Sequence, residues 1–494
     1  MDADMTLGDV DLTTVKTRSL SGVITLISRS FVLQIVSTGG FFLLTVFLGR
    51  PEIGLFIAIN DLVSILGYFS DIGLAASLIQ KKQGVSLTDL RTTFSLQQSI
   101  VLLLITLSLF LTPVLFRFYN ISGSGIWLFY SLLAAFFLAS LKTIPSVVLE
   151  RQLKFQVLAA IEVVENIVFY VTAVLLAWRG SGIASYAWAV IIRGLVGTGM
   201  IYIMAPWKLG FAFSVSSLKT LLSFGLPFQI NSLMAVVKDR FLNIALWKII
   251  GADGVGIIGW AQTWSGKPLR FIMDNVTKVA FPAFSRLQDD KNELARAVEK
   301  TLLFICFTTF PVVAGIAVVA PSFVRLVPRY SKWDAALLPL ALFCFNSALA
   351  AVSTPLTNLF NAIGKVKINT YLMVMWTVLT WILTPLLAIR YGYLGVAYAT
   401  AIIALSSFVP VIIAKKFLDF SLVESVLKPA LAALVMLCIS FSVKSFAPLS
   451  LFSIILNILL SSVSYLLIIY LLTGPVLLSD TRRLWYAFQK KDRL

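Results

Sequence analysis

Two apolar stretches between Leu222 and Phe284 carry seven charged residues in their interiors: Lys238, Asp239, Arg240, Lys267, Arg270, Asp274 and Lys278. Each stretch is long enough to cross a bilayer. A charge at the middle of a membrane helix costs roughly 2.5–3.5 kcal/mol on insertion scales, so it persists where it faces water, a partner or a substrate. Five of the seven are cations, and the chemistry they offer is anion binding. Arginine supplies forked donors matched to phosphate, and lysine a compact charge. Lys267, Arg270, Asp274 and Lys278 are spaced by three, four and four, which puts them within an arc of about 80° on a helix. Pro268 falls between the first two and kinks that helix. Lys238, Asp239 and Arg240 are consecutive and fan over about 200°. They share one face only if the helix is distorted; otherwise one cation pairs with an acidic neighbour.

The elements that must hold these charges are membrane helices. The 494-residue chain is 59% hydrophobic and 13% charged, which excludes a soluble globular domain and identifies an all-α, multi-span membrane protein. Fourteen spans are expected, near 21–47, 55–79, 94–116, 124–148, 155–178, 183–204, 222–248, 255–281, 298–321, 335–360, 369–389, 394–417, 426–447 and 450–473. They divide the chain into a cytoplasmic arm (1–20), an N-lobe (21–204), a linker (205–221), a C-lobe (222–417), two further spans (426–473) and an amphipathic tail (474–494). The polar start of the chain has no short apolar core ahead of a small-residue cleavage site, so its first apolar run reads as a span. Trp127, Trp178, Trp207 and Trp247 fall at span ends, as in an interfacial belt.

The net charge of +17 raises a nucleic-acid reading, which the placement of the charges rejects. With both termini cytoplasmic, 23 of the 40 Lys and Arg lie in or beside cytoplasmic segments, 9 in or beside external loops and 8 inside spans. That asymmetry is a topology signal. There is no histidine, so no His-based base, triad or metal site is available. Cys306, Cys344 and Cys438 lie in apolar spans and read as small buried hydrophobes. No metal or cofactor is expected.

The chain repeats itself. LGRPEIGLF from Leu48 matches IGADGVGII from Ile250, pairing Gly49 and Gly54 with Gly251 and Gly256. Pro145 and Leu149 match Pro355 and Leu359, and the phrase around Gly182 matches that around Gly395. Offsets run in order from 202 to 213 residues. Six spans therefore recur in the same orientation, an architecture of transporters that work by alternating access. The charges are not repeated. Spans 1–6 hold Arg29, Lys142 and Arg193 against Asp61, Asp71, Glu162 and Glu165, whereas spans 7 and 8 hold five cations against two acids. For Asp61, Asp71, Glu162, Asp239 and Asp274, ion coupling stands beside the plainer reading of pairing with nearby Arg or Lys. Lys142 and Lys278 lie near enough to span ends to snorkel.

Three stretches, FPAFSRLQDD at 281–290, NLFNAIGKVKINTYL at 358–372 and YGYLGVAYATAI at 391–402, resemble Wzx-type oligosaccharide flippases. These form the polysaccharide transporter family of the multidrug/oligosaccharidyl-lipid/polysaccharide (MOP) superfamily, and the second-half features are most similar to exporters of colanic-acid or teichuronic-acid type. The resemblance implies two six-helix lobes in a V around a central cavity. It implies movement of an undecaprenyl-pyrophosphate-linked oligosaccharide from the inner to the outer leaflet of the bacterial cytoplasmic membrane. It implies substrate contacts for Arg29, Lys238, Arg240, Lys267, Arg270 and Lys278. The expected partners are that lipid-linked glycan, membrane lipid and the polysaccharide polymerase or chain-length machinery, with the chain acting as a monomer and not as an enzyme. The rivals are a lipid II flippase, a multidrug antiporter, which would need an acid-dominated cavity, and a membrane-embedded polymerase or ligase. This last would need a catalytic external loop, and the longest, near Ala320–Asp334, holds one acid.

Overall fold

The computed structural model of the chain describes residues 12–71, 73–81, 84–207, 210–215, 217–219, 240–446 and 448–473. Lys238, Asp239, most of the seventh expected span and the tail 474–494 lie outside the described residues. The described elements are helical: α1 (Leu12–Phe47), α2 (Arg50–Asp71), α3 (Leu74–Gln80), α4 (Leu87–Tyr119), α5 (Ser124–Leu141), α6 (Thr143–Arg151), α7 (Phe155–Trp178), α8 (Ala184–Met204), α9 (Leu242–Arg286), α10 (Lys291–Leu326), α11 (Leu337–Ala362), α12 (Val366–Tyr391), α13 (Tyr393–Leu405), α14 (Phe408–Lys415), α15 (Lys428–Phe446) and α16 (Leu451–Thr473). Among the described residues, thirteen helical stretches are long and apolar enough to cross a membrane, close to the fourteen expected. Helix α1 starts at Leu12, inside the stretch read as an arm.

Local chemistry sets the helix ends. Ser86 and Asp89 form a reciprocal capping box at the start of α4 (Asp89 N–H to Ser86 Oγ 3.1 Å, Ser86 N–H to Asp89 Oδ2 3.0 Å). The Asp290 carboxylate accepts from the backbone N–H groups of Asn292 and Glu293 at the start of α10. Large apolar side chains face outward, as Phe110, Ile203 and Leu471 do. A soluble surface would not tolerate a girdle of that kind, and a lipid-facing one requires it. Polar side chains turn inward and bond across helices. Gln97 Nε2 donates to Thr143 Oγ1 at 2.8 Å, Gln98 Nε2 to Ser140 Oγ at 3.1 Å, and Asn457 Nδ2 to the Ser440 carbonyl at 3.0 Å.

By packing, the chain forms two units, Met1–Gly256 and Ile257–Leu494. In the first, α7 packs on α1 and α8, and α8 on α5. This unit takes in the start of α9, past the linker 205–221 at which the sequence reading divides the lobes. The cause is a close backbone crossing. A Cβ at Gly54 would overlap the Ala252 carbonyl, and one at Gly256 would overlap the Arg50 carbonyl. Each contact is the other displaced by 202 residues, so the two copies of the glycine motif meet as like to like. Arg50 Nε and Asp253 Oδ1 pair at 3.0 Å beside the crossing. Helix α9 breaks at Gly251 (φ 68°, ψ 177°), which separates expected spans 7 and 8.

In the second unit α10 packs on α11 and α15, α12 on α13, and α15 on α16 around a core that includes Phe284, Ile305, Leu356, Phe360, Phe420 and Met436. Pro311 has no N–H, so the Phe307 carbonyl loses its helical donor. Tyr465 Oη donates to that carbonyl at 2.9 Å and ties α16 to α10. Two residues depart from the sequence reading. Trp247 is buried and stacks on Tyr119 at 4.5 Å instead of joining an interfacial belt, because it faces a neighbouring helix. Cys438 is exposed on the outer face of α15, so only Cys306 and Cys344 are buried.

Candidate functional site

Within the first unit the interior charges are engaged with one another. Asp61 on α2 is buried and accepts from Arg240 Nη1 and from Asn243 Nδ2, the latter at 2.8 Å. Arg29 on α1 pairs with Glu162 on α7 at 3.0 Å, both half-exposed. The Asp71 carboxylate accepts the Ala75 N–H at 3.0 Å and so serves the start of α3.

Glu165, buried on α7, draws in two cations: Lys142 between α5 and α6, and Arg193 on α8 at 3.7 Å. Gly197 lies one turn beyond Arg193, and a Cβ there would overlap the Glu165 carboxylate. Small size at 197 is what lets the acid reach in. Lys142 therefore does not snorkel to a span end; a buried carboxylate within reach holds it better than the interface would. Arg193 also lies over the Phe169 ring, 5.9 Å from its centroid.

This three-helix group was not legible as a unit, since its members are scattered at 142, 165 and 193. Its one sequence trace is the interior Gly197. The second repeat places a neutral pair at the matching positions. Trp376, the eleventh residue of α12 as Glu165 is of α7, donates Nε1–H to Ser406 Oγ at 2.8 Å. At these two positions the second repeat thus carries a neutral hydrogen bond where the first carries an ion pair.

In the second unit the charges are arranged differently. Lys267 Nζ sits 5.6 Å from the Trp264 ring centroid, within cation–π range. Arg270, Asp274 and Lys278 are exposed on successive turns of one face of α9. Among the described residues none of these three has an ion-pair or side-chain hydrogen-bond partner. Asp274 and Lys278 line a cavity of about 590 Å³ together with Thr277 and Phe281 of α9 and Thr354 and Asn358 of α11. Asn358 Nδ2 donates to Thr277 Oγ1 at 3.0 Å and fixes the two walls against each other. A second cavity, of about 740 Å³, is almost wholly apolar and lies between α9, α10, α15 and α16, lined by Trp260, Phe307, Pro311, Met436 and Tyr465 among others. Among the described residues no group of His, Cys, Asp or Glu is arranged to hold a metal ion. The structure thus brings Arg270, Asp274 and Lys278 together, and it gives Arg29, Arg240, Asp61, Asp71 and Glu162 partners within the fold.

The comparisons with known proteins agree with this architecture. A family model described as "Polysaccharide biosynthesis protein" matches residues 43–337. The lipopolysaccharide biosynthesis protein WzxC of Escherichia coli (strain K12) is 24% identical over 328 residues, 64% of this chain and 64% of the relative. The chain thus spans a little under two thirds of that relative's length. The teichuronic acid biosynthesis protein TuaB of Bacillus subtilis (strain 168) is 26% identical over 390 residues, 76% of this chain and 78% of the relative. Among solved structures, lipid II flippase MurJ in an inward closed conformation superposes with a TM-score of 0.75 at 18% identity, covering 92% of this chain and 99% of that one. An inward-facing multidrug resistance MATE family transporter of the MOP superfamily gives 0.56 at 17% identity, covering 80% and 98%. These two likenesses establish the fold. With more than half its length matched by the family model, the chain belongs to the polysaccharide biosynthesis protein family, is homologous to WzxC and TuaB, and has the helical fold shared by MurJ and the MATE transporters.

Proposed function

We propose that this chain moves a polyprenyl-pyrophosphate-linked oligosaccharide from the inner to the outer leaflet of the bacterial cytoplasmic membrane by alternating access, with both termini cytoplasmic. The observation that carries the reading is the α9 face, where Arg270 and Lys278 stand exposed, without an ion-pair partner among the described residues, on a helix long and apolar enough to cross the membrane. A cation inside a span is expensive to keep and persists where it meets water, a partner or a substrate. A pyrophosphate headgroup and a polar glycan cannot cross hydrocarbon unaided, and a cationic face supplies what the anion needs. The family membership and the homology to proteins of lipopolysaccharide and teichuronic acid biosynthesis point the same way. Arg270, Lys278 and Lys267 take the anion in this reading, while Asp61 and Glu162 hold helices together through Arg240 and Arg29.

The test is reconstitution of the full chain in liposomes with a fluorescent lipid-linked oligosaccharide, reading leaflet transfer from its loss of accessibility to a membrane-impermeant quencher. Protein-dependent transfer is expected. Transfer no faster than in empty liposomes, or export of cationic drugs in its place, would refute the proposal.

A further inference from the structure

The cavity beside α9 holds groups that a bare anion site does not need. A carboxylate, Asp274, stands one turn from Arg270 and one from Lys278, and toward a pyrophosphate alone it would be repulsive. Pro282, also in the lining, has no N–H, so the Lys278 carbonyl lacks its helical donor and stands as a further acceptor. Thr354 and Asn358 add hydroxyl and amide groups from α11, and Phe281 adds an exposed ring. Acceptors, a hydroxyl and an ammonium beside an aromatic face suit a neutral, hydroxyl-rich ring with an apolar flank. The volume of about 590 Å³ falls within the roughly 300–1,000 Å³ usual for small-molecule sites. Along α9, four residues separate Arg270 from Asp274 and eleven separate it from Phe281, or about 6–17 Å along the axis. That span lets one ligand place an anion on Arg270 and its next group in the cavity.

The geometry points to this cavity as a glycan subsite that receives the sugar adjoining the pyrophosphate, with Asp274, Thr354 and Asn358 reading its hydroxyl groups and Phe281 covering its apolar face. This deepens the function proposed above and rests on it. The glycerol phosphate of a bilayer lipid shares the polyol-plus-anion chemistry, and the test separates the two sources.

Full-length protein in phosphatidylcholine nanodiscs is titrated with a polyprenyl pyrophosphate bearing a neutral disaccharide and with the same lipid without sugar. Wild type is expected to bind the sugar-bearing probe about tenfold more tightly, the worth of one or two net hydrogen bonds. Asp274→Asn and Thr354→Val should each remove most of that preference; Thr354→Val should change sugar-free binding less than about twofold, and Asp274→Asn, which lifts a repulsion, should strengthen it. Arg270→Gln should weaken both probes alike. The readout is a ratio within one preparation, so a partial loss of folded protein cancels. Equal binding of the two probes by wild type, or variants that weaken both equally, would overturn the subsite and leave the flippase reading standing. Binding of neither probe overturns both. Loss of the sugar preference in phosphatidylglycerol nanodiscs assigns the cavity to bilayer headgroups and overturns the glycan assignment.

Discussion

Arg270→Gln separates a substrate contact from a structural one. Arg270 is exposed and has no partner among the described residues, so its removal breaks nothing in the fold. Surface substitutions of that kind shift stability by about 0.5 kcal/mol or less. Toward a pyrophosphate the guanidinium offers two charge-assisted hydrogen bonds of about 1.5–3 kcal/mol each. Because the side chain is exposed, the lower end of that range applies, about 3 kcal/mol in all, or a loss of roughly a hundredfold in affinity. Arg240→Gln is the contrasting change. It leaves the Asp61 carboxylate buried with Asn243 as its remaining neutral partner. Breaking a buried pair costs about 3–5 kcal/mol, discounted toward the low end because the Arg240 side chain is 44% exposed. The assay is leaflet transfer in proteoliposomes, with thermal unfolding of the same preparations in detergent. Arg270→Gln should abolish most transfer at unchanged melting temperature, and Arg240→Gln should lower the melting temperature, with Asp61→Asn/Arg240→Gln recovering part of it. Wild-type transfer by Arg270→Gln, or a melting shift equal to that of Arg240→Gln, would refute the division of roles.

Glu165→Gln leaves Lys142 and Arg193 facing each other without their shared counter-ion. It should destabilise the first unit by about 3 kcal/mol, whereas Glu165→Gln combined with Lys142→Met should cost less than the single change; unfolding curves decide it. Gly256→Leu drives a side chain into the Arg50 carbonyl and should cost about 1–3 kcal/mol, as should Gly54→Leu at the mirrored contact. A melting temperature unchanged by both would show that the crossing is loose. Tyr465→Phe removes the donor that satisfies the Phe307 carbonyl and should cost about 1 kcal/mol. Pro311→Ala restores the helical donor and should make the same change nearly neutral, a coupling that a double-mutant cycle measures.

Hydrophobic run length made the helices legible, because in a bilayer every backbone polar group has to be bonded within the chain, and long apolar segments have one way to do that. The doubled glycine motif was legible for a related reason: only glycine permits the backbone approach at residues 54 and 256, so the residue type survives in both copies. Spacing alone put Arg270, Asp274 and Lys278 on one face of one helix, because they share an element whose period is known. Which interior charges are spent inside the fold was not legible. Arg240 meets Asp61, and Lys142 and Arg193 meet Glu165, across 23 to 179 residues of sequence, and pairing over such separations depends on which helix faces touch. Sequence by itself therefore determined a multi-span, repeated, cation-rich membrane protein. Tertiary structure alone decided that the first-half charges are largely matched while Arg270, Asp274 and Lys278 on α9 stay exposed, because whether a charge is neutralised is a property of its distance to another, and only packing sets that distance.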